Sequence, residues 1–391
     1  MERKIAILFE DKLYNQRGRF NAIRNRIRYL SDIADFSIDV FLITSYDPWY
    51  VRILRRTNRQ ERVNQIVLDG ITYHVIWKKF SIIDYLLEEK LHRSPILSPA
   101  FYRNIADRLV GYDLLSAHSG NCGWVAEMVA KRDNIPFFVT WHGSDIHTLP
   151  FQNASLYSQA QTLLREATYN FFVSKALSET AHRIQTSFEY KVLYNGVNKS
   201  FYKYDEKQRL QLRRQYGVNE GEKVVAFAGD LLGIKNPQLL PLIFKAVKER
   251  YDAPLRFWII GSGEYAGWLK DKCEALQLNV TFCGAQQPDD VPKYMNCIDV
   301  LVLPSRNEGL PMVTLEALAC GANAVGSDVG GISEAVGKEN AFPLGDKFVE
   351  RISQRITEML CGNVKQPLRD VFDWSVTAKM EKEIYDNFLS S

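Results

Sequence analysis

Two glutamates eight residues apart bound the run Glu308-Gly-Leu-Pro-Met-Val-Thr-Leu-Glu316. Pro311 suits a first helical position, because its φ is preset and the amide it lacks would have been unpaired there. Residues 312–320 are strong helix formers. The backbone from Leu310 through Met312 and Val313 then offers free amides at the positive end of a helix dipole, a local anion site suited to a diphosphate. Glu316 falls about 6 to 8 Å along the axis at ~1.5 Å per residue. That reach suits a carboxylate taking hydrogen bonds from paired ribose hydroxyls, while Glu308 on the loop is placed for a different group such as a sugar hydroxyl. Either glutamate alone is equally consistent with a surface carboxylate beside a Lys or Arg. A glycosidase pair is the other reading, but it needs carboxyls about 5 to 9.5 Å apart, and a loop plus a helical turn separates these by more.

Other residues with chemical potential also follow apolar runs. Lys235 ends Gly229-Asp-Leu-Leu-Gly-Ile-Lys-Asn236, and a cation there offsets charge on a departing phosphate. Gly261-Ser-Gly263 is half of a phosphate-binding fingerprint or a tight turn. Cys283-Gly-Ala-Gln286 offers backbone around Gly284. His118 and His142 each close an apolar run, the latter in Trp141-His-Gly-Ser-Asp145, and neither has metal-ligand partners at suitable spacing.

The elements that must position these groups alternate short β-branched or aromatic runs with longer helical stretches, the pattern of βαβ units and parallel sheets. Strands are expected at 5–9, 40–44, 73–76, 114–117, 137–140, 170–173 and 191–194, then at 224–228, 255–260, 279–283, 300–303 and 324–326. Two Rossmann-like, doubly wound α/β domains follow: 1–200, joined by a terminal helix over 373–391, and 201–372. The hinge is expected in the aperiodic stretch opening at Asn195-Gly. A ligand would then lie between the domains, beyond the carboxyl ends of both sheets.

At 391 residues, 46% of them hydrophobic and 24% charged, the chain has the composition of a soluble globular protein too long for one core. The start, with five apolar residues between charges, reads as a buried strand rather than a leader, and no apolar run reaches the ~18 residues that cross a bilayer. Six scattered cysteines suit core positions in a reducing cytoplasm.

Net charge is +3, with the basic excess in residues 1–200, which hold 26 Lys and Arg against 20 Asp and Glu. Arg17, Arg24 and Arg28 share one helical face and Arg19 and Arg26 the opposite one, with Phe20, Ile23, Ile27 and Leu30 between. This is either a solvated surface helix or one that attracts an anionic membrane or a phosphorylated acceptor, and Arg52, Arg55, Arg56, Arg59 and Arg62 extend the basic character. Nucleic acid is not expected, as no binding motif accompanies the charge.

Residues 304–331, with the two glutamates, Ala319-Cys-Gly321 and Ser327-Asp-Val-Gly-Gly331, resemble the signature of the family-four retaining glycosyltransferases of the GT-B fold. Tyr194-Asn-Gly-Val197, the segment from Trp141 to Asp145 and residues 374–385 extend the likeness over most of the chain. The resemblance implies a metal-independent transfer of a hexosyl or N-acetylhexosaminyl group, with retention, from a nucleotide-sugar to an acceptor hydroxyl. No cofactor is implied beyond the donor, for which UDP-sugars are expected ahead of GDP-sugars. It places Glu308 and His118 on the sugar, Lys235 and Gly229 on the diphosphate, Glu316 on the ribose, Gly284 near the base and Gly18 near the donor phosphate. Arg17, Arg19, His142 and Asp145 fall on the side of a glycan or lipid-linked acceptor. Two departures stand out: Asp230 occupies the position of a usual arginine, and Gly18 is alone where a glycine pair is usual. The implied setting is cell-surface glycan or glycolipid assembly in the cytoplasm, at the inner face of the membrane. A nucleotide-sugar binding protein without transfer activity, and a GT-B sugar-phosphate synthase or epimerase, are the alternatives.

Overall fold

The computed structural model describes residues 3–13, 18–87, 99–362 and 364–389. The chain forms two compact units, one of residues 1–172, 178–193 and 378–391, the other of residues 173–177 and 194–377. Residues 194–200, expected with the first unit, therefore lie in the second. Val197 forms a parallel bridge with Asp373 and its amide donates to the Phe372 carbonyl, while a Cβ on Gly196 would stand 2.3 Å from the Trp374 amide nitrogen. Such close backbone approach fastens 194–200 to the segment entering the last helix, Trp374–Leu389, whose residues from Ala378 onward return to the first unit.

In the first unit, β1 (Lys4–Glu10), β2 (Ser37–Tyr46), β3 (Gln65–Leu68), β4 (Ile71–Lys79), β5 (Leu114–His118), β6 (Phe137–Trp141), β7 (Tyr169–Phe172) and β8 (Tyr190–Val192) form one sheet in the order β3-β4-β2-β1-β5-β6-β7-β8. All its pairs are parallel except β3 with β4. That antiparallel edge was not expected. Its strand shows a mixed exposed and half-buried pattern and is joined to β4 by the tight turn Asp69-Gly70, both with positive φ.

Helix α1 (Arg19–Ser31) packs Phe20, Ile23, Ile27 and Leu30 into a core with Ile5, Ile7 and Phe9 of β1 and Tyr385 of the last helix. Three of the arginines on its two basic flanks are engaged within the unit. Arg24 makes two hydrogen bonds to the Asp69 carboxylate, and Arg19 donates to Asp11 and to the Glu10 carbonyl. Arg26 is buried, with its Nε 2.6 Å from Glu381. Two short helices, α2 (Trp49–Arg55) and α3 (Ile82–Tyr85), follow the ends of β2 and β4.

In the second unit, β9 (Lys223–Ala228), β10 (Leu255–Ile260), β11 (Val280–Gly284), β12 (Val300–Leu303), β13 (Asn323–Ser327) and β14 (Ala341–Phe342) form an all-parallel sheet in the order β11-β10-β9-β12-β13-β14. β9, β12 and most of β10 and β13 are buried, as befits strands covered on both faces. Chain order reverses direction at β1/β5 in one sheet and at β9/β12 in the other. In open α/β sheets a ligand binds beyond the strand ends at such switch points.

Candidate functional site

In the second unit, the loops after β9 and β12 carry Lys235 and Glu308, and the fold brings them together: the ammonium lies 2.6 Å from Glu308 Oε1. Ser305, fully buried, donates to the same oxygen at 2.8 Å, and Ser327 at the end of β13 donates to the Ser305 carbonyl. The backbone behind Glu308 is held by glycine. A Cβ on Gly330 would lie 1.8 Å from the Glu308 carbonyl oxygen, and one on Gly331 2.3 Å from that of Gly309. Gly330 also has φ +52, so no other residue serves both conformation and contact as well. Gly261 does the same for the other loop, where a Cβ would stand 1.9 Å from the Gly229 carbonyl. The Gly-Ser-Gly string is thus a close-packing device against the 229–231 backbone.

The helix after Glu308 runs Met312–Ala319, and Pro311 is its N-cap, one position outside where the sequence placed it. No side chain caps this end and no acidic residue occupies its first turn. The amides at Met312 and Val313 therefore keep the positive end of the dipole clear of a protein carboxylate. Leu310 is buried beneath the turn.

Glu316 is half-buried on this helix. Desolvation pushes its carboxyl up to about 7, opposed by a hydrogen bond from Tyr202. Burial and the nearby Glu316 in turn raise the Tyr202 phenol. Sequence reading missed Tyr202, which lies over a hundred positions away in a segment without period. Gly284 closes β11 with φ +71, and its carbonyl accepts the Gly261 amide. Arg306 is exposed, with its own amide bonded to the Ile234 carbonyl.

In the first unit, His118 ends β5 and His142 follows the neighbouring β6. Their rings stack at 5.2 Å between centroids, with His118 Nδ1 2.9 Å from His142 Nε2. Desolvation holds both imidazoles well below the usual histidine range, reinforced at each by Arg19 and Arg26 and at His118 by His142 itself. Two neutral rings at this distance must share one proton, so one donates and the other accepts.

Asp145, expected on the acceptor side, turns its carboxylate back onto its own loop. It accepts from the His142 amide at 3.1 Å and the Gly143 amide at 2.8 Å. Its evident work is to fix the turn that carries His142. Beneath His118 on β5, Ser116 meets Tyr385, whose hydroxyl lies 2.7 Å from both Ser116 Oγ and Glu381 Oε1.

A cavity of about 350 Å³ opens within this unit, lined among others by Glu10, Arg19, Lys78, Trp124, Trp141 and Asp145. Gly18, with φ +48, caps α1 without a side-chain bond. Arg17 lies outside the described residues.

A family model described as glycosyl transferases group 1 matches residues 208–372, and one described as Glycosyltransferase Family 4 matches residues 51–201. The putative teichuronic acid biosynthesis glycosyltransferase TuaC of Bacillus subtilis (strain 168) is 25% identical over 311 residues, spanning 78% of this chain and 76% of its own. Among solved structures, HepE from Anabaena in complex with UDP and glucose matches with TM-score 0.67 at 18% identity, over 99% of this chain and 96% of that one. Sucrose-phosphate synthase from Thermosynechococcus elongatus matches with TM-score 0.74 at 16% identity, over the whole of both chains. At these identities the two structures speak for the fold, two α/β domains with parallel-sheet cores, the GT-B arrangement. With one family model matching in each half and the two together spanning most of its length, the chain belongs to the group 1, family-four glycosyltransferases.

Proposed function

We propose that this glycosyltransferase moves a hexosyl or N-acetylhexosaminyl group from a nucleotide-sugar to an acceptor hydroxyl with retention and without a metal ion. The observation that carries the reading is the Lys235–Glu308 pair at the β9/β12 switch point, beside the uncapped helix that leads to Glu316. In the reading, the donor diphosphate takes Lys235, Gly229 and the Met312 and Val313 amides, releasing Glu308 to the sugar hydroxyls. Glu316 receives the ribose diol and the backbone near Gly284 the base. His118 acts on the sugar, while Arg17, Arg19, His142 and Asp145 belong to the acceptor side.

Charge neutralisation on the leaving nucleotide then lowers the barrier to an oxocarbenium-like transition state. The acceptor attacks from the face the nucleotide leaves, and a donor phosphate oxygen takes its proton. UDP is the base-carrying group we favour, supported by the UDP in the similar HepE structure. The acceptor in this reading is a glycan or lipid-linked molecule of cell-surface assembly met in the cytoplasm. A biosynthetic role is in keeping with the similar TuaC, a putative teichuronic acid biosynthesis glycosyltransferase. Asp230, at the place of a usual arginine, motivates one rival, a protein that binds the donor without transfer.

Radiolabelled UDP-, GDP- and ADP-sugars incubated with wild type test the proposal by slow hydrolysis or transfer. Turnover of one donor, reduced about 10²- to 10³-fold in Glu308→Ala and in Lys235→Ala, is expected. Donor binding with no turnover under any acceptor would leave the binding-only reading standing.

A further inference from the structure

The basic helix α1 is occupied by its own unit, but a second surface of that unit is not. β2 and β4 are parallel neighbours, with Tyr46 opposite Lys79, and the Phe80 amide donates to the Tyr46 carbonyl. α2 begins three residues beyond one strand end and α3 three beyond the other, so the two short helices emerge side by side. Stacking of Arg55 on Phe80 at 4.6 Å and of Lys79 over Tyr50 at 5.6 Å ties the two segments together.

What points inward from these helices is little: Val51 is buried, Arg55 pairs with Asp47, and Asp84 closes a capping box with Ser81. What points outward is large and apolar. Trp49 and Ile53, one turn apart on the same face, are 66% and 69% exposed, and Leu54, Ile82, Ile83 and Leu86 join them at about half. Six such side chains on two short segments that leave neighbouring strand ends are more than the scattered exposed apolar residues of an ordinary surface.

The charges around them are predominantly basic. Exposed Arg56, Arg59 and Arg62 follow α2, and the Arg62 guanidinium packs over the Tyr46 ring at 4.5 Å, bringing that loop back to the end of β2. Of the described acids of the same segments, Asp47 and Asp84 are turned to internal partners and Glu61 is exposed among the arginines. An apolar wedge containing tryptophan and edged with arginine is complementary to the interface of an anionic bilayer, where aliphatic side chains enter the acyl boundary and guanidinium groups meet phosphates.

We infer that the α2/α3 tip of the first unit is a docking surface for an anionic lipid membrane, with Trp49, Ile53, Leu54, Ile82, Ile83 and Leu86 as the inserted groups. Co-sedimentation of the full chain with vesicles tests this without reference to donor or turnover, so the result stands apart from the fate of the proposed reaction. Wild type should bind phosphatidylglycerol/phosphatidylcholine vesicles at least ten-fold more tightly than pure phosphatidylcholine, with a blue shift of tryptophan emission that is smaller in Trp49→Phe. The double variant Ile53→Ser/Leu54→Ser should lose at least ten-fold in vesicle affinity, and Arg56→Gln/Arg59→Gln about five-fold per charge. Both should keep the wild-type melting temperature. Absence of wild-type binding to anionic vesicles, or undiminished binding by both variants, overturns the inference. So does a concentration-dependent dimer abolished by Ile53→Ser/Leu54→Ser with no vesicle binding, which would make the tip a contact between copies.

Discussion

The two switch points of the molecule carry opposite kinds of polar chemistry. At β9/β12, full charges sit on loops: Lys235 and Glu308 neutralise each other across 2.6 Å, partly open to solvent, on backbone that only glycine permits. Near β1/β5, the buried His118 and the half-buried His142 are held neutral by desolvation, above a buried network of Arg26, Glu381, Tyr385 and Ser116. An ion pair on a loop can exchange its partner for an incoming anion at small cost. A neutral pair held by desolvation and a mutual hydrogen bond answers less readily to an incoming charge. The contrast suggests a division of labour in which the second unit answers the charge of a diphosphate and the first presents fixed hydrogen-bonding groups.

The comparison breaks most easily at the buried network. Arg26 and Glu381 are both almost wholly enclosed, and removing one partner strands the other, so Glu381→Leu should cost about 3 to 5 kcal/mol. Denaturant unfolding should register that loss, and the double variant Arg26→Met/Glu381→Leu should recover much of it. If the single variant proves as stable as wild type, the support beneath His118 is not what the geometry says.

Next in size is Gly330→Ala. Its Cβ would overlap the Glu308 carbonyl at a left-handed φ, and strain of about 1 to 3 kcal/mol should appear as displacement of that loop. Donor turnover should fall roughly ten- to a hundred-fold, on the scale of ~1.4 kcal/mol per decade, with the first unit's fluorescence unchanged.

The smallest effect sharpens the contrast through pH. Glu316 titrates near 7 because burial disfavours its charge, so its folded value lies above its unfolded one. Its contribution to stability is therefore present below about 4.5 and lost as pH rises through about 7. A ribose diol donates to the ionised form, so nucleotide affinity should move the other way, rising up to about ten-fold between pH 6 and 8, with proton release on binding. Calorimetry in two buffers of different ionisation enthalpy measures that proton, and Glu316→Gln should abolish it.

Much of this was legible in residue order, and what was not has physical causes. Buried parallel strands such as β9 and β12 announce themselves as apolar runs, and loops that follow them inherit their place at the sheet end. The pairing of Lys235 with Glu308 and of His118 with His142 required knowing which strands are neighbours, which local sequence does not encode. The α1 arginines were read as two basic flanks on opposite faces, open to solvent, a membrane or a phosphorylated acceptor. Yet Arg26 found Glu381 at a separation of 355 residues, a partner that no helical wheel displays. Asp145, placed by resemblance on the acceptor side, also holds its own turn by accepting from the His142 and Gly143 amides, bonds that residue order does not display. Trp49 and Ile53 carried no signal at all, since an apolar pair in a seven-residue helix reads as core until its exposure is measured.

The most direct test of the division between the units is titration of UDP into wild type, Glu316→Gln and His118→Ala. The account predicts saturable binding by wild type, at least ten-fold weaker binding by Glu316→Gln, and wild-type affinity in His118→Ala despite its loss of turnover. Undiminished affinity in Glu316→Gln together with lost affinity in His118→Ala would contradict it.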